Sequence, residues 1–269
     1  MKWQKNILAL YAVAMGGIIA LSTYISLLKI PPPEVVTIPA GEYSYRLPGR
    51  FRIDTRRVDA PLRHQTAPAL HIMKYQVSQG QYGLCVRAGA CVGAHGVDGV
   101  DFAQVHINYH DAGAYAAWLS EQTGQHWRLP TAFEWQRAAG DMYFDGALGD
   151  LDDANDPAKR WILEYTRQVE LARNADMKRY VLGTNGANSL GLFDVSANVW
   201  EWTDTCFASA NLDADGQTIL NRVENCAARV VAGRHTAYIV EFVRDANVGG
   251  CAAGIPPDYL GFRLVLDEA

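Results

Sequence analysis

A run of 23 residues near the N-terminus carries no charge, and this run limits where the protein can reside. It lies between Lys5 and Lys29. As a helix it would be about 34 Å long, enough to cross a hydrocarbon core of about 30 Å. A buried helix of a soluble protein would rarely avoid charge for so long. A cleaved signal peptide has a shorter apolar region that ends at a small-x-small site, whereas this run ends in Leu27-Leu28-Lys29-Ile30. We therefore expect residues 1–30 to form an uncleaved transmembrane signal anchor.

The residues on either side of this run predict its orientation. Lys2 and Lys5 precede it without any acidic residue, which favours a cytoplasmic N-terminus. Pro31-Pro32-Pro33 follow it and would extend about 9 Å, and we expect residues 31–34 to form a stiff Pro-rich spacer. Residues 35–269 would then be exported as one domain.

The composition argues for a globular exported part and against nucleic-acid binding. Hydrophobic residues make up 49% of the chain and charged residues 20%, which excludes pervasive disorder. The first 30 residues contain three lysines and no acid, so the remainder holds 21 basic and 29 acidic residues and a net charge of −8. It has no run of Lys or Arg and no basic stripe interleaved with aromatic residues. We therefore expect no nucleic-acid partner.

The five cysteines all lie in the exported part and predict disulfides rather than a zinc site. They are Cys85, Cys91, Cys206, Cys226 and Cys251. None forms a Cys-x-x-Cys pair or a Cys/His zinc pattern. Cys85 and Cys91 are six residues apart, with Gly89 between them to allow a turn, and we expect a local bridge there. Cys206 and Cys226 are further disulfide candidates whose pairing stays open, and the odd count leaves one thiol.

Capping patterns predict three helices in the exported part. Each has a capping side chain three residues before a carboxylate or amide that can reach back: Ser78 with Gln81, Asn108 with Asp111, and Thr131 with Glu134. The second helix should end at Gly124 and the third near Ala139, and a further helix fits residues 156–172. Short strands are expected at residues 35–38, 229–233 and 261–266. We predict an α+β domain in which much of the chain is irregular.

Five blocks along the exported part resemble motifs of the formylglycine-generating enzyme family, also called sulfatase-modifying factors. In chain order they are Val35–Glu42 (similar to IPAGEF), Met73–Tyr82 (KYEVTNAQY), Trp127–Trp135 (WRLPTEAEWE), Gly191–Trp202 (GLYDMSGNVWEW) and Leu260–Leu264 (GFR). The order and spread of the blocks extend the resemblance over residues 35–269. It implies a C-type-lectin-like fold with little regular secondary structure. The two tryptophans that flank Pro130 are expected to fill the core.

The fourth block contains a candidate calcium site. Asp194 and Glu201 are seven residues apart, and the main-chain carbonyls of Ala197 and Val199 lie between them. Carboxylate and carbonyl oxygens are the ligands that calcium prefers. The resemblance implies that these four residues bind calcium. The alternative is an N-capping aspartate and a glutamate in a salt bridge.

The catalytic centre implied by the resemblance has no counterpart in this chain. Family enzymes place two cysteines five residues apart after a Gly-Gly-Ser turn, bind copper through them and oxidise a sulfatase cysteine to formylglycine. Here the two positions are Ala237 and Phe242. Because Cu(I) prefers thiolate or thioether ligands, we expect neither copper binding nor formylglycine formation, and iron is left open.

Arg234, His235 and Cys251 remain as candidates for an altered site. Arg234 replaces the serine of the turn, His235 follows it, and Cys251 lies nine residues beyond Phe242. The other histidines are expected to be exposed or hydrogen-bonded: His64, His71, His95, His106, His110 and His126.

Two functions from different classes fit these observations. The first is an accessory, maturation or partner-binding module for a periplasmic protein or peptide. The alternative is a metal-dependent oxidase of the same family with altered ligands. A sugar-binding role is disfavoured because the Glu-Pro-Asn motif of C-type lectins is absent. With the anchor, either function implies a single-pass protein of the bacterial inner membrane whose domain lies in the periplasm.

Overall fold

The structure is a computed structural model that describes residues 30–94, 98–149, 156–173, 178–233, 235–245 and 259–267. The predicted anchor lies outside the described residues except for Ile30, and so do Arg234 and Cys251. Within the described ranges, no helix combines the length and the apolar character needed to cross a bilayer. The anchor and its orientation therefore stay predictions.

Short strands and four α-helices form the described part of the domain. The strands are β1 (Val35–Ile38), β2 (Gly41–Arg46), β3 (Arg50–Ile53), β4 (Arg56–Val58), β5 (Leu62–Ala67), β6 (Leu70–Met73), β7 (His126–Arg128), β8 (Trp200–Leu212), β9 (Ile219–Ala232), β10 (Thr236–Val240), β11 (Leu260–Gly261) and β12 (Val265–Asp267). The helices are α1 (Gln79–Arg87), α2 (Tyr109–Thr123), α3 (Ala132–Ala139) and α4 (Pro157–Arg173), with a 3₁₀ turn at Gly140–Met142.

All three predicted capping boxes are confirmed. At α1, α2 and α3 the N-cap side chain accepts a hydrogen bond from the third helical N–H, and the side chain of that third residue accepts one from the N-cap N–H. Helix α2 ends at Gly124, whose φ of 71° suits glycine at a helix C-terminus. Helix α4 confirms the fourth predicted helix, and the Asp156 carboxylate accepts a hydrogen bond from the Ala158 N–H at its start.

Three sheets connect these elements in the described part. The first is antiparallel with the strand order β1-β6-β12-β7. The second has the order β10-β9-β8-β3-β4, in which β3 and the short β11 both pair parallel to β8. The third is the antiparallel pair of β2 and β5. The fold is therefore mixed α+β with few helices, as predicted.

The long β8–β9 hairpin differs from the prediction. The strands contain 13 and 14 residues, where the sequence predicted turns and a short strand at 229–233. The strand predicted at 261–266 is instead divided into β11 and β12. Most of β9 is exposed, so it lacks the alternation of apolar and polar residues that reveals a half-buried strand. Backbone pairing and the Cys206–Cys226 disulfide hold the hairpin instead.

The segment from Leu192 to Trp202 contributes to both large apolar clusters of the core. One cluster joins α1 and α2 to β7 and contains Trp202, and the other packs α3 against β1 and β6 and contains Leu192. Trp127 and Trp135 are each 2% exposed, so the prediction that they fill the core is confirmed. Both ends of this segment are thereby held, and the candidate site lies between them.

Candidate functional site

Four oxygen atoms of the fourth block converge on the side-chain amide of Gln76. The main-chain oxygens of Asp194, Ala197 and Val199 lie 3.5, 3.4 and 3.3 Å from Gln76 Nε2. Glu201 Oε1 lies 2.9 Å from the same nitrogen. The structure therefore brings together all four residues that the sequence proposed as calcium ligands.

An unusual backbone turns these oxygens toward one point. Asp194, Ser196 and Asn198 have φ values of 58°, 58° and 63°. Left-handed backbone is uncommon for residues other than glycine and costs each of them energy. The alternation of left-handed and ordinary residues directs successive carbonyls inward rather than along a helix or strand. The Asn198 side chain also donates to Gln76 Oε1 at 3.3 Å, which holds the glutamine in place.

Glu201 is fully buried and forms an ion pair with Arg263, which is also fully buried. Arg263 donates from Nε to Glu201 Oε2 at 2.7 Å and from Nη2 to Oε1 at 2.8 Å. Trp135 Nε1 donates to Oε2 at 2.9 Å. With the Gln76 bond, every donor that surrounds this carboxylate is supplied by a different segment of the chain. Such charge-assisted hydrogen bonds are strong and are needed to offset the desolvation of both charges.

The Asp194 carboxylate is directed away from this point, which differs from the expectation of two carboxylate ligands. Its oxygens accept hydrogen bonds from the main-chain N–H groups of Gly183 and Asn185 and from the Asn185 side chain. Asp194 thus offers its main-chain oxygen to the cluster and uses its carboxylate to hold the neighbouring loop.

The oxygens of the cluster are of the type that calcium prefers, whereas Gln76 Nε2 occupies the point where they converge and Glu201 forms the salt bridge of the alternative prediction. A side-chain amide has two N–H hydrogens, so Gln76 Nε2 cannot satisfy four oxygen acceptors at once. The cluster offers three carbonyls and one carboxylate oxygen, which are hard ligands suited to calcium. In the described part no group of three or more His, Cys, Asp or Glu side chains could hold a metal ion, so any ion would depend mainly on main-chain oxygens.

Gln76 and Arg263 are two residues of this cluster that the sequence did not predict. Both lie inside blocks that carried the family resemblance. The available signal was a single letter: the motif KYEVTNAQY has glutamate at the position of Gln76. This chain has an amide where the motif has an acid, and the structure places that amide in the cluster.

The two residues at the positions of the family's cysteines are not brought together. Ala237 is 1% exposed on β10 and belongs to the apolar core, whereas Phe242 is 68% exposed. Four of the five cysteines are also oxidised, in the disulfides Cys85–Cys91 and Cys206–Cys226. The predicted local bridge is thereby confirmed. Since one cysteine remains for a site that needs two thiolates, the residues present do not fit copper.

His235 is half-buried, and both of its ring nitrogens are enclosed without a hydrogen-bond partner in the described part. Neither ring nitrogen is accessible or bonded. Its ring meets the Trp200 indole edge-to-face at 4.6 Å, and a Cβ added at Gly233 would lie 2.6 Å from that indole. Burial lowers the pKa of His235 to about 4, so the imidazole is neutral at physiological pH.

The other described histidines largely follow the prediction of satisfied side chains. His64 bonds Ser44 and His71 bonds Thr37. His126 bonds Asp267, and His110 lies 3.4 Å from Glu241. His95 lies outside the described residues. The two enclosed and unbonded ring nitrogens of His235 depart from the expectation.

The chain matches one protein family over almost its whole length. The family description "sulfatase-modifying factor enzyme 1-like domain" matches residues 26–268. The chain is 29% identical to the formylglycine-generating enzyme of Streptomyces coelicolor over 61% of this chain and 52% of that protein. It is 31% identical to the inactive Cα-formylglycine-generating enzyme 2 of Mus musculus over 40% of this chain and 34% of that protein. It therefore spans about a third to a half of the length of these relatives.

Solved structures share the fold. PvdO from Pseudomonas aeruginosa superposes with a TM-score of 0.55 and 20% identity, over 88% of this chain and 95% of PvdO. CarF superposes with a TM-score of 0.50 and 16% identity, over 89% of this chain and all of CarF. The family match, the five blocks in order and this common fold agree, and the chain belongs to the sulfatase-modifying factor, or formylglycine-generating enzyme, family.

Proposed function

We propose that this protein is an accessory module that binds an exported partner or assists its maturation, and that it does not generate formylglycine. The oxidation of four cysteines to disulfides is the observation that argues against formylglycine formation. Only one cysteine lies outside the two disulfides, and copper coordination by two thiolates needs a second. The name of the mouse relative supports the idea that family members exist without this activity.

The proposed location is the periplasmic face of a bacterial inner membrane, with residues 1–30 as the single membrane anchor. The uncharged run and the preceding lysines support it. The two disulfides are what an oxidising compartment permits. A tethered domain would find its partner among proteins of the same compartment.

We also propose that calcium binds the oxygen cluster and braces the domain. The ion would be held by the main-chain oxygens of Asp194, Ala197 and Val199 and by Glu201. Gln76 could contribute its Oε1 by turning its amide. Bound calcium would supply positive charge to a cluster of oxygens that one amide cannot satisfy, and its role would be structural.

Full-length protein incubated aerobically with Cu(I) and a sulfatase-type cysteine peptide is expected to form no aldehyde, because one free thiol cannot build the copper site. Aldehyde trapping and mass spectrometry of the peptide measure this. The formylglycine-generating enzyme of Streptomyces coelicolor is the positive control. Turnover by the wild-type chain would contradict the proposal.

Binding is tested with the same full-length protein in its own membranes. Cross-linking and affinity capture are expected to recover one exported protein in roughly equal amount, and the purified pair should bind again in calorimetry. Failure of the purified candidates to bind would overturn the accessory role.

Removal of calcium is expected to lower the melting temperature. An ion that binds only the native state stabilises it by about 2.7 kcal/mol at a concentration 100 times its Kd. The variant Gln76→Glu adds a carboxylate to the cluster and should make melting more sensitive to chelator. Gln65→Glu, at an exposed position of β5, is the matched control. If chelation leaves the melting of both wild type and Gln76→Glu unchanged, calcium is not a ligand.

His235 favours a second candidate function, the oxidase with altered ligands. Its unpaired ring nitrogens lie in the turn that corresponds to the family's active site. Neutral imidazole is a good ligand for iron and copper. Metal analysis of purified protein separates the candidates, since stoichiometric iron or copper favours the oxidase and calcium alone favours the binding module.

A further inference from the structure

A groove made of two adjoining cavities lies between helix α4 and the β3–β4 hairpin. It consists of two cavities of about 520 and 890 Å³. Both are lined by Arg57, Asp59, Arg160 and Trp161, so they adjoin at these residues. One end of the groove reaches His235, and the other reaches the turn between β8 and β9.

One wall of the groove is strongly basic although the exported part is acidic. Six of the 18 residues between positions 46 and 63 are arginines, against two aspartates. Arg52 lies directly opposite Arg57 in the β3–β4 register, and like charges in such a pair repel. Glu164 neutralises Arg57. In the described part, Arg50, Arg52 and Arg56 form no ion pair with any carboxylate, and all three are exposed.

Helix α4 forms the other wall and presents its apolar side outward. Two of its charged residues face the domain: Arg160 pairs with Asp59, and Glu164 pairs with both Arg57 and Arg160. The rings of Trp161 and Tyr165 stack at 5.6 Å and remain 61% and 54% exposed. A surface that combines exposed Trp and Tyr with arginine has the composition of binding hot spots.

The inner end of the groove has hydrogen-bonding groups that the described chain does not use. Gln136 and His235 both line it. Gln136 Oε1 and both ring nitrogens of His235 are buried without partners, and each such group costs about 1–3 kcal/mol. Gln136 Oε1 can only accept, and neutral His235 can donate and accept. These atoms are enclosed by the protein, so the accessible chemistry of the groove is that of its arginines and exposed rings.

We propose that this groove binds an extended, acidic peptide segment of the exported partner. Acidic side chains would pair with Arg50, Arg52 and Arg56, and the segment would lie against Trp161 and Tyr165. This inference rests on the proposed partner-binding function and names the chemistry and place of that binding. The groove also contains Asp59 and Glu164, which suit a peptide with spaced acids better than the uniform charge of a nucleic acid. A flat bilayer would not enter the concave part of the groove.

The probe is a fluorescein-labelled decapeptide in which glutamate alternates with alanine around a central tyrosine. Fluorescence anisotropy with the full-length protein is expected to show at least tenfold tighter binding than for the same peptide with glutamine in place of glutamate. Affinity for the acidic peptide should fall as salt is raised. Equal binding of the two peptides would overturn the proposal.

Matched variants locate the binding. Arg52→Glu is expected to weaken binding about tenfold, whereas Arg87→Glu makes the same charge change at an exposed residue at the end of α1 and should have little effect. Trp161→Ala should weaken binding without a change of charge. Phe242→Ala is its control at an equally exposed aromatic residue. Equal losses of peptide affinity in the test and control variants would also contradict binding in the groove.

Three further outcomes separate the alternatives. A thymidine decanucleotide or phosphatidylglycerol vesicles could bind more tightly than the peptide and lose that binding in Arg52→Glu. This result would overturn the peptide proposal and show that the groove binds another anion. If the captured partner binds Arg52→Glu and Trp161→Ala as tightly as wild type, the groove is not the binding site, while the proposed accessory function stands. If wild type binds no partner, the proposed function itself fails.

Discussion

Replacing Glu201 with alanine is expected to lower the free energy of unfolding by about 3–5 kcal/mol, the usual cost of removing one partner of a buried ion pair. The variant would leave the Arg263 guanidinium in the core with only neutral acceptors, among them the main-chain oxygen of Phe193. Trp135 Nε1 would lose its acceptor as well. Urea unfolding, compared at equal m-values, measures the loss.

An exposed pair of the same chemistry provides the control. Glu34 bonds Lys74 Nζ at 3.0 Å, but its side chain is 70% exposed. Glu34→Ala should therefore change stability by less than about 1 kcal/mol. Removing both buried charges in Glu201→Met with Arg263→Met should recover part of the loss, because no unpaired charge then remains buried. Similar effects of Glu201→Ala and Glu34→Ala would contradict this account of the core.

Acidification from pH 6.5 to pH 4 is expected to remove about 3 kcal/mol of stability through His235. Burial lowers the pKa of the folded imidazole to about 4, from 6.5 in the unfolded chain. Between these values the unfolded chain binds a proton that the folded chain excludes. The contribution is therefore fully present above pH 6.5 and is lost as the pH falls toward 4. Unfolding free energies measured at half-unit pH intervals test this.

His235→Phe keeps an aromatic ring against Trp200 and removes the titrating group. It should flatten the decline between pH 6.5 and pH 4. At neutral pH the variant should be as stable as wild type or more so, because two unpaired nitrogens are removed. His64→Gln, at an exposed histidine that bonds Ser44, should leave the decline unchanged. If His235→Phe retains the full acid decline, other groups cause it.

The sequence predicted features whose partners lie close together along the chain. Each capping box joins residues three apart, so Ser78 and Gln81 could be identified without a fold. The Cys85–Cys91 bridge closes a loop of similar scale. The pairing of Cys206 with Cys226 stayed open because it depends on the register of two long strands, and one of them, β9, is mostly exposed and has no apolar alternation to reveal it.

The sequence predicted one part of the candidate site and missed the residues that are distant in the chain. Asp194, Ala197, Val199 and Glu201 belong to one continuous segment, and the family block identified them together. Gln76 and Arg263 lie 125 and 62 residues from Glu201. Their contacts form only when β6, β8 and the segment between β11 and β12 are packed together.

The arginines between positions 46 and 63 are visible in the sequence, but their meaning depends on the fold. A basic segment alone does not form a binding site. Helix α4 lies about 100 residues further along the chain, and its ion pairs with Arg57 and Asp59 place Trp161 across from the arginines. Local hydrogen bonds and family motifs thus determined the helices and the oxygen donors from sequence alone. The buried ion pair, the unpaired His235 and the groove were decided by tertiary packing, because burial and charge pairing between distant segments depend on the whole core.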